Sequence, residues 1–213
     1  MEKLVAGYRK FRDEVYPLRE EQFAKLERGQ DPRVLFITCA DSRIVPELLF
    51  QAEPGELFIC RNAGNIVPAH GDHNGGVSAT VEYAVRALNV KDIVICGHSD
   101  CGVMRGLLHP EKVTKMKNVS SWLSYGERAR AVVEHVCTHM DEEEKVIELA
   151  RQNVLAQLDN LRTHPSVAAR MAGRTLNIHG WVLQLHTGTV QAWSEEIGRF
   201  IPLESTYQTV GSY

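Results

Sequence analysis

Apolar residues along the 213-residue chain recur in two periods, and the period changes where the elements change. Leu4, Tyr8, Phe11 and Val15 fall at helical spacing, and Phe23 with Leu26 extends the pattern past Pro17, which predicts two helices or one broken helix. Val34-Leu35-Phe36-Ile37-Thr38 is a short apolar, β-rich run after Gly29-Gln30-Asp31-Pro32, so it reads as a buried strand entered from a turn. Cys39 stands at its C-terminal end. Leu57-Phe58-Ile59-Cys60, after Glu53-Pro54-Gly55, and Ile93-Val94-Ile95-Cys96, ending at Gly97, repeat the strand signal. Between them Val77, Val81, Ala84, Val85 and Leu88 mark one face of a helix that begins just after Gly75-Gly76.

Strand, helix and strand in alternation predict an α/β fold with a mainly parallel central sheet flanked by helices. Downstream, Ile147, Ala150, Val154, Leu158 and Leu161 line an amphipathic helix. Thr175 to Leu183 and Thr189 to Trp193, joined across His186-Thr187-Gly188, read as a C-terminal hairpin or edge strands, and Lys112 to Asn118 as loop. No repeat, low-complexity tract or Pro/Ser-rich linker interrupts the chain, so the expectation is a single domain over 1–213, with residues 1–28 as an N-terminal helical arm.

Composition narrows the function classes. Lys and Arg number 24 against 27 Asp and Glu, and a net charge of -3 gives no electrostatic case for nucleic acid or an anionic membrane. A small neutral or anionic substrate fits. The first residues alternate charged and apolar side chains without an apolar h-region, and no stretch approaches the roughly 20 apolar residues of a membrane span, so a cytoplasmic protein is expected. Five cysteines, an odd count, make a poor disulfide framework and a better source of metal ligands or buried packing residues.

Two predicted strand ends carry unusual residues: Cys39-Ala40-Asp41-Ser42-Arg43, and Gly97-His98-Ser99-Asp100-Cys101-Gly102. In a parallel sheet both lie on the edge where ligands gather. Catalytic zinc takes three Cys, His or carboxylate ligands and leaves a fourth position open, and Cys39, His98 and Cys101 make such a set. Asp41 and Arg43 would add a carboxylate and a cationic partner beside it. Cys96 is a rival ligand, because Cys96-Gly97-His98 also offers donors, although Cys60 and Cys96 lie in apolar runs and read as packing residues. His135 and His139, one helical turn apart, read as a solvated helix face without further ligands, and His70 and His73 as exposed residues of a Gly-rich loop where a proton could be passed. Gly64-Asn65 and Gly75-Gly76 complete no phosphate-binding motif.

The C-x-D-S-R and G-H-x-x-C-G motifs, with Pro54-Gly55-Glu56, Arg61-Asn62, Glu82-Tyr83-Ala84 and His179-Gly180-Trp181, resemble the beta-class carbonic anhydrases. The resemblance implies one Zn2+ per subunit held by Cys39, His98 and Cys101, and reversible hydration of carbon dioxide to bicarbonate and a proton by zinc-bound hydroxide. It implies that Asp41 either hydrogen-bonds the zinc-bound water or, in a closed form, displaces it, and that Arg43 holds Asp41 off the metal. It assigns Gln30, Phe58 and Tyr83 to a substrate pocket of the plant-type subgroup and the Gly102 N–H to bicarbonate. A Trp, Arg and Tyr set forms an inhibitory bicarbonate site in other members; here those positions are Phe36, Arg61 and Leu183, so that site is expected to be absent. The resemblance further implies a homodimer or a dimer of dimers, with pocket residues drawn from both subunits. Two thiolates cancel the metal's charge, so activity is expected to rise into the mildly alkaline range. Alternatives are hydrolysis of carbonyl sulfide or carbon disulfide on the same scaffold, and a non-catalytic zinc-stabilised assembly protein.

Overall fold

The computed structural model describes residues 1–71 and 75–207, in two compact units, Met1–Asp31 and Pro32–Tyr213. In the first unit α1 (Glu2–Lys10) runs through a widened turn at Phe11–Val15 and a tight turn at Tyr16–Arg19 into α2 (Glu20–Glu27). This is the broken helix that the apolar spacing and Pro17 predict, since proline lacks the N–H that would carry an α-helix through. Phe11, Tyr16 and Phe23 gather their rings at the break, yet neither helix contains a buried residue.

In the second unit the described residues form one six-stranded sheet in the order β2-β1-β3-β4-β5-β6. The strands are β1 (Val34–Cys39), β2 (Leu57–Asn62), β3 (Asp92–His98), β4 (Asn177–Gln184), β5 (Thr189–Ser194) and β6 (Arg199–Pro202). The first four pair in parallel, while β5 and β6 add antiparallel. The helices are α3 (Pro46–Leu49), α4 (Gly76–Arg86), α5 (Gly102–Leu108), α6 (Lys117–Leu123), α7 (Glu127–Val136), α8 (Glu142–Arg162), α9 (Pro165–Ala172) and α10 (Leu203–Thr206).

Alternation along β1 and β3 divides the core. Leu35, Ile37, Ile93 and Ile95 face α4, α8 and α9, while Phe36, Val94 and Cys96 face a smaller cluster with Ile44 and Leu183. α8 begins with a reciprocal cap, in which Asp141 accepts from the Glu144 N–H and Glu144 accepts from the Asp141 N–H. Such a box, with Glu142 and Glu143 in the first turn, fixes where the helix starts. The helix then buries Val154, Leu158 and Leu161 against the sheet, each such side chain contributing about 1.5–3 kcal/mol. Its approach to β4 requires Gly180, where a Cβ would lie 2.8 Å from Val154 Cγ1 and 2.9 Å from Leu158 Cδ1.

The structure extends the sequence reading in two places and corrects it in one. The predicted C-terminal hairpin does form between β4 and β5, but β4 also pairs in parallel with β3 and so belongs to the body of the sheet. Residues 112–118 are not simply loop: a tight helical turn covers Pro110–Val113 and α6 starts at Lys117. The short strand β6 was not anticipated, because Arg199–Pro202 is brief and ends in proline, which is tolerated only where its missing N–H is not needed.

Candidate metal centre

β1 and β3 are neighbours, with Thr38 paired to Cys96, so Cys39 and His98 leave the sheet side by side. Between β1 and β3 the strand order reverses direction, which opens a crevice at their C-terminal ends. Beyond His98 the chain turns at Asp100, whose φ of 52° is the left-handed region that a short polar side chain tolerates. Ser99 pins this turn to the end of β4: its N–H donates to the Leu183 carbonyl at 2.9 Å and its hydroxyl accepts from the Leu185 N–H at 2.9 Å. Cys101 then caps α5.

The result is a buried cluster in which the ligand atoms of Cys39, His98 and Cys101 all lie within 4.8 Å of one another. The two sulfurs are 4.0 Å apart, close to the roughly 3.8 Å separation of two thiolates on one tetrahedral zinc. His98 Nδ1 lies 2.9 Å from the Ser99 carbonyl, and a carbonyl only accepts, so Nδ1 carries the proton and Nε2 presents its lone pair. That Nε2 is buried without a hydrogen-bond partner, a costly state for a polar atom unless a metal takes the lone pair. The donor set therefore fits zinc.

Protonation of the pair follows the geometry. The Cys101 thiol lowers the Cys39 pKa through their hydrogen bond, against burial and with help from His98 and the Gly64 N–H. The same bond, burial and the Cys39 charge raise Cys101. Zinc binds thiolates, so metal uptake at this pair releases thiol protons.

Asp41 borders this cluster, its Oδ2 lying 4.0 Å from His98 Nε2. Arg43 grips it from the other side: Nε donates to Oδ1 at 3.0 Å, Nη2 to Oδ2 at 2.8 Å, and the Arg43 backbone N–H to Oδ1 at 2.9 Å. The Arg43 side chain is the main reason that the Asp41 carboxyl is held well below the usual carboxylate range. Arg43 also donates to Asp100, at 2.8 Å to Oδ2 and 3.0 Å to its carbonyl.

A second set of contacts holds Cys39. The Gly64 N–H donates to its sulfur at 3.4 Å, and the Gly64 carbonyl accepts from Asn153 Nδ2 at 3.0 Å. Gln157 continues this buried chain, donating to Asn153 Oδ1 at 2.9 Å and accepting from the Val67 N–H at 2.9 Å. None of these residues was singled out as a ligand support from sequence; only the Gly64-Asn65 pair drew notice, and for a different chemistry.

The other sequence candidates fall as follows. Cys96 packs in the cluster of Phe36, Val94 and Leu183, and burial pushes its thiol up to about 12, so it is not among the gathered donors. Cys60 is half-buried, and burial raises its thiol. α7 ends at Val136, so His135 and His139, both exposed, do not share a helix face as expected. His70 is exposed, and His73 lies outside the described residues. Gln30 is exposed after α2 in the first unit. Phe58 and Tyr83 pair with ring centroids 6.0 Å apart, but Phe58 lies beside Leu35, four residues along the strands from the Cys39–Asn62 row. Gly102 opens α5, with open space where a side chain would project. Phe36 and Leu183 are buried in the apolar cluster, and Arg61 donates to the carbonyls of Cys39 at 3.2 Å and Asp41 at 2.7 Å.

Residues 34–190 match the family model described as carbonic anhydrase. A carbonic anhydrase of Pseudomonas aeruginosa is 47% identical over 203 residues, covering 95% of this chain and 92% of the relative. The solved beta-carbonic anhydrase CcaA superposes with a TM-score of 0.93 at 39% identity, over 95% of this chain and 91% of that one. A structure from a study of two tetrameric beta-carbonic anhydrases of Sordaria macrospora gives a TM-score of 0.76 at 31% identity, over 91% of this chain and 93% of that one. With the cysteine and histidine cluster at the ends of β1 and β3, and with this agreement in sequence and fold along nearly the whole length, the chain belongs to the carbonic anhydrase family, in its beta class.

Proposed function

We propose that the protein catalyses the reversible hydration of carbon dioxide to bicarbonate and a proton, with zinc held by Cys39, His98 and Cys101. The observation that carries this reading is the unpartnered His98 Nε2 gathered with two sulfurs beside an arginine-held carboxylate. Zinc, when bound, supplies the Lewis acidity that lets water lose a proton at accessible pH. Ser99 fixes the His98 tautomer and the Gly64 N–H steadies the Cys39 thiolate. Asp41, kept ionised by Arg43, accepts an O–H of the attacking water and aims its lone pair at carbon dioxide. The Gly102 N–H, at the first turn of α5, is placed in this reading on the product bicarbonate.

The family resemblance assigns Gln30, Phe58 and Tyr83 to the substrate pocket. The separation of Phe58 and Tyr83 from the Cys39 row along β2 supports a pocket that draws on a second copy of the chain. A homodimer, or a dimer of dimers, would also cover Leu4, Val5 and Tyr8, all exposed on α1. Apolar surroundings at Phe36 and Leu183 and the carbonyl partners of Arg61 support the plant-type pocket without the inhibitory bicarbonate site. No helix among the described residues is long and apolar enough to cross a membrane, and the thiolate ligands suit a reducing compartment, for which we take the cytoplasm.

Stopped-flow hydration of carbon dioxide on zinc-loaded protein tests the reading, at about pH 7 and again at about pH 8.5. Fast turnover that increases at the higher pH is expected. Slow turnover at both would remove the proposal.

A further inference from the structure

Arg43 does not face Asp41 alone. Its guanidinium is forked between two carboxylates, Asp41 on the metal side and Asp100 on the solvent side. Asp100 is in turn forked between two arginines: Oδ2 accepts from Arg43 Nη1 at 2.8 Å, and Oδ1 accepts from Arg105 Nη2 at 2.8 Å and Nε at 3.2 Å. Arg105, on α5, is itself paired with Glu143 in the first turn of α8. The row Asp41, Arg43, Asp100, Arg105, Glu143 thus runs from the edge of the cluster to the capped end of the longest helix. Alternating charges along it leave the three inner members, Arg43, Asp100 and Arg105, pulled from both sides.

We infer that Asp100 and Arg105 are positioning residues which hold Arg43, and through it Asp41, away from the fourth position of the metal. The inference rests on the reading of Cys39, His98 and Cys101 as zinc ligands. The physical reason is competition. Asp41 Oδ2 already lies 4.0 Å from His98 Nε2, so a small swing of its side chain would bring the carboxylate onto a metal held by that nitrogen. What opposes the swing is Arg43, and an arginine held only by Asp41 would travel with it. Anchored on Asp100, which sits on the turn that Ser99 pins to β4, Arg43 becomes a stationary partner that Asp41 must leave to reach the metal. Arg105 completes the anchor by occupying the other Asp100 oxygen. An isolated exposed pair would do little, but a bidentate, shared arrangement of this kind is geometrically stiff.

The test uses iodide as a probe of the open position, followed by zinc X-ray absorption on the intact zinc-loaded protein, where iodine is a strong scatterer. Asp100→Asn keeps one acceptor in place of two and should weaken iodide binding by about tenfold, Arg105→Met by a smaller factor of about threefold. In both the zinc should gain a light protein ligand in the absence of iodide. The deciding comparison is the Asp41→Asn background, which removes the competing carboxylate: there Asp100→Asn should leave iodide affinity unchanged within about twofold. An equal loss in both backgrounds, or no loss in the wild-type background, would overturn the inference. Zinc stoichiometry and the sulfur and nitrogen count of the unmutated protein report separately on the ligand assignment, so failure of that assignment is distinguishable from failure of the anchor.

Discussion

Replacing Asn153 by leucine tests whether the long helix α8 reaches the metal centre through hydrogen bonds rather than through packing alone. Asn153 is fully buried, donating to the Gly64 carbonyl at 3.0 Å and accepting from Gln157 Nε2 at 2.9 Å. Leucine has the same branched outline but is bulkier, so no cavity is left and the loss is one of pairing with some overpacking. The Gly64 carbonyl would be orphaned outright, while Gln157 keeps the Tyr125 carbonyl at 3.2 Å. With about 1–3 kcal/mol for a buried orphan and less for the retained partner, the variant should unfold in urea about 2–4 kcal/mol more easily. The functional effect follows from the other side of the same residue, where the Gly64 N–H donates to Cys39 Sγ at 3.4 Å. Loss of such an outer support costs about 10–100-fold in metal affinity, readable by competition with a chromophoric chelator. Leu161→Ala is the comparison, since it removes a buried side chain from the sheet-facing cluster and costs a similar about 2–5 kcal/mol. If both variants lose zinc affinity equally, or if Asn153→Leu keeps it, the proposed coupling through Gly64 is wrong.

Arg43→Ala should retain stoichiometric zinc but lower kcat/KM by about 10–100-fold, because Asp41 loses the partner that keeps it oriented; loss of the metal or full activity would contradict this. Gly180→Ala should destabilise the fold by about 1–3 kcal/mol through overlap with Val154 and Leu158, and an unchanged urea midpoint would mean that α8 yields freely. Burial lowers the pKa of His164, whose Nε2–H donates to the Pro68 carbonyl at 3.0 Å. A base with a depressed folded-state pKa costs nothing above its unfolded pKa of about 6.5 and loses stability as pH falls from there toward the folded value. Urea midpoints of wild type and His164→Gln should therefore diverge less at low pH than at pH about 7.5, the wild type losing more on acidification; parallel curves would refute the assignment.

The sheet was legible because its inner strands are continuous apolar runs, and a strand buried on both faces has no other composition available. Residues 34–38, 57–60 and 93–96 were read directly, and the structure extends them by a few residues toward the site. The ligand set was legible for a related reason: Cys39 and His98 stand at strand ends, where polar chemistry interrupts an apolar pattern. Their supports were not. Asn153 and Gln157 sit on the buried side of α8 among Leu149, Val154 and Leu161, and a sequence shows only that two polar residues break an apolar stripe. Which carbonyl each one meets depends on the path of the Gly64 loop, set by contacts about 90 residues away. Asp100 and Arg105 were passed over for the opposite reason, because charged residues on a turn and the helix after it are ordinary until their partners are known. The boundary of β6 and the helical turns within 110–123 escaped because short elements are decided by tertiary packing rather than by their own pattern.

The chain separation within the ligand set has a consequence for folding. Cys39 and Cys101 are 62 positions apart, and the segment between them contains β2, α4 and β3. An unfolded chain can offer a metal only the local His98-Ser99-Asp100-Cys101 stretch, so the complete three-donor set comes into being when β1 and β3 pair. Ion uptake is therefore a reporter of long-range topology, and zinc supply is a thermodynamic control on how much of the chain is assembled. At free metal 100 times the dissociation constant, the folded population gains about 2.7 kcal/mol over a chain with no comparable affinity. Zinc loss would therefore weaken the folded state as well as remove the chemistry of the site.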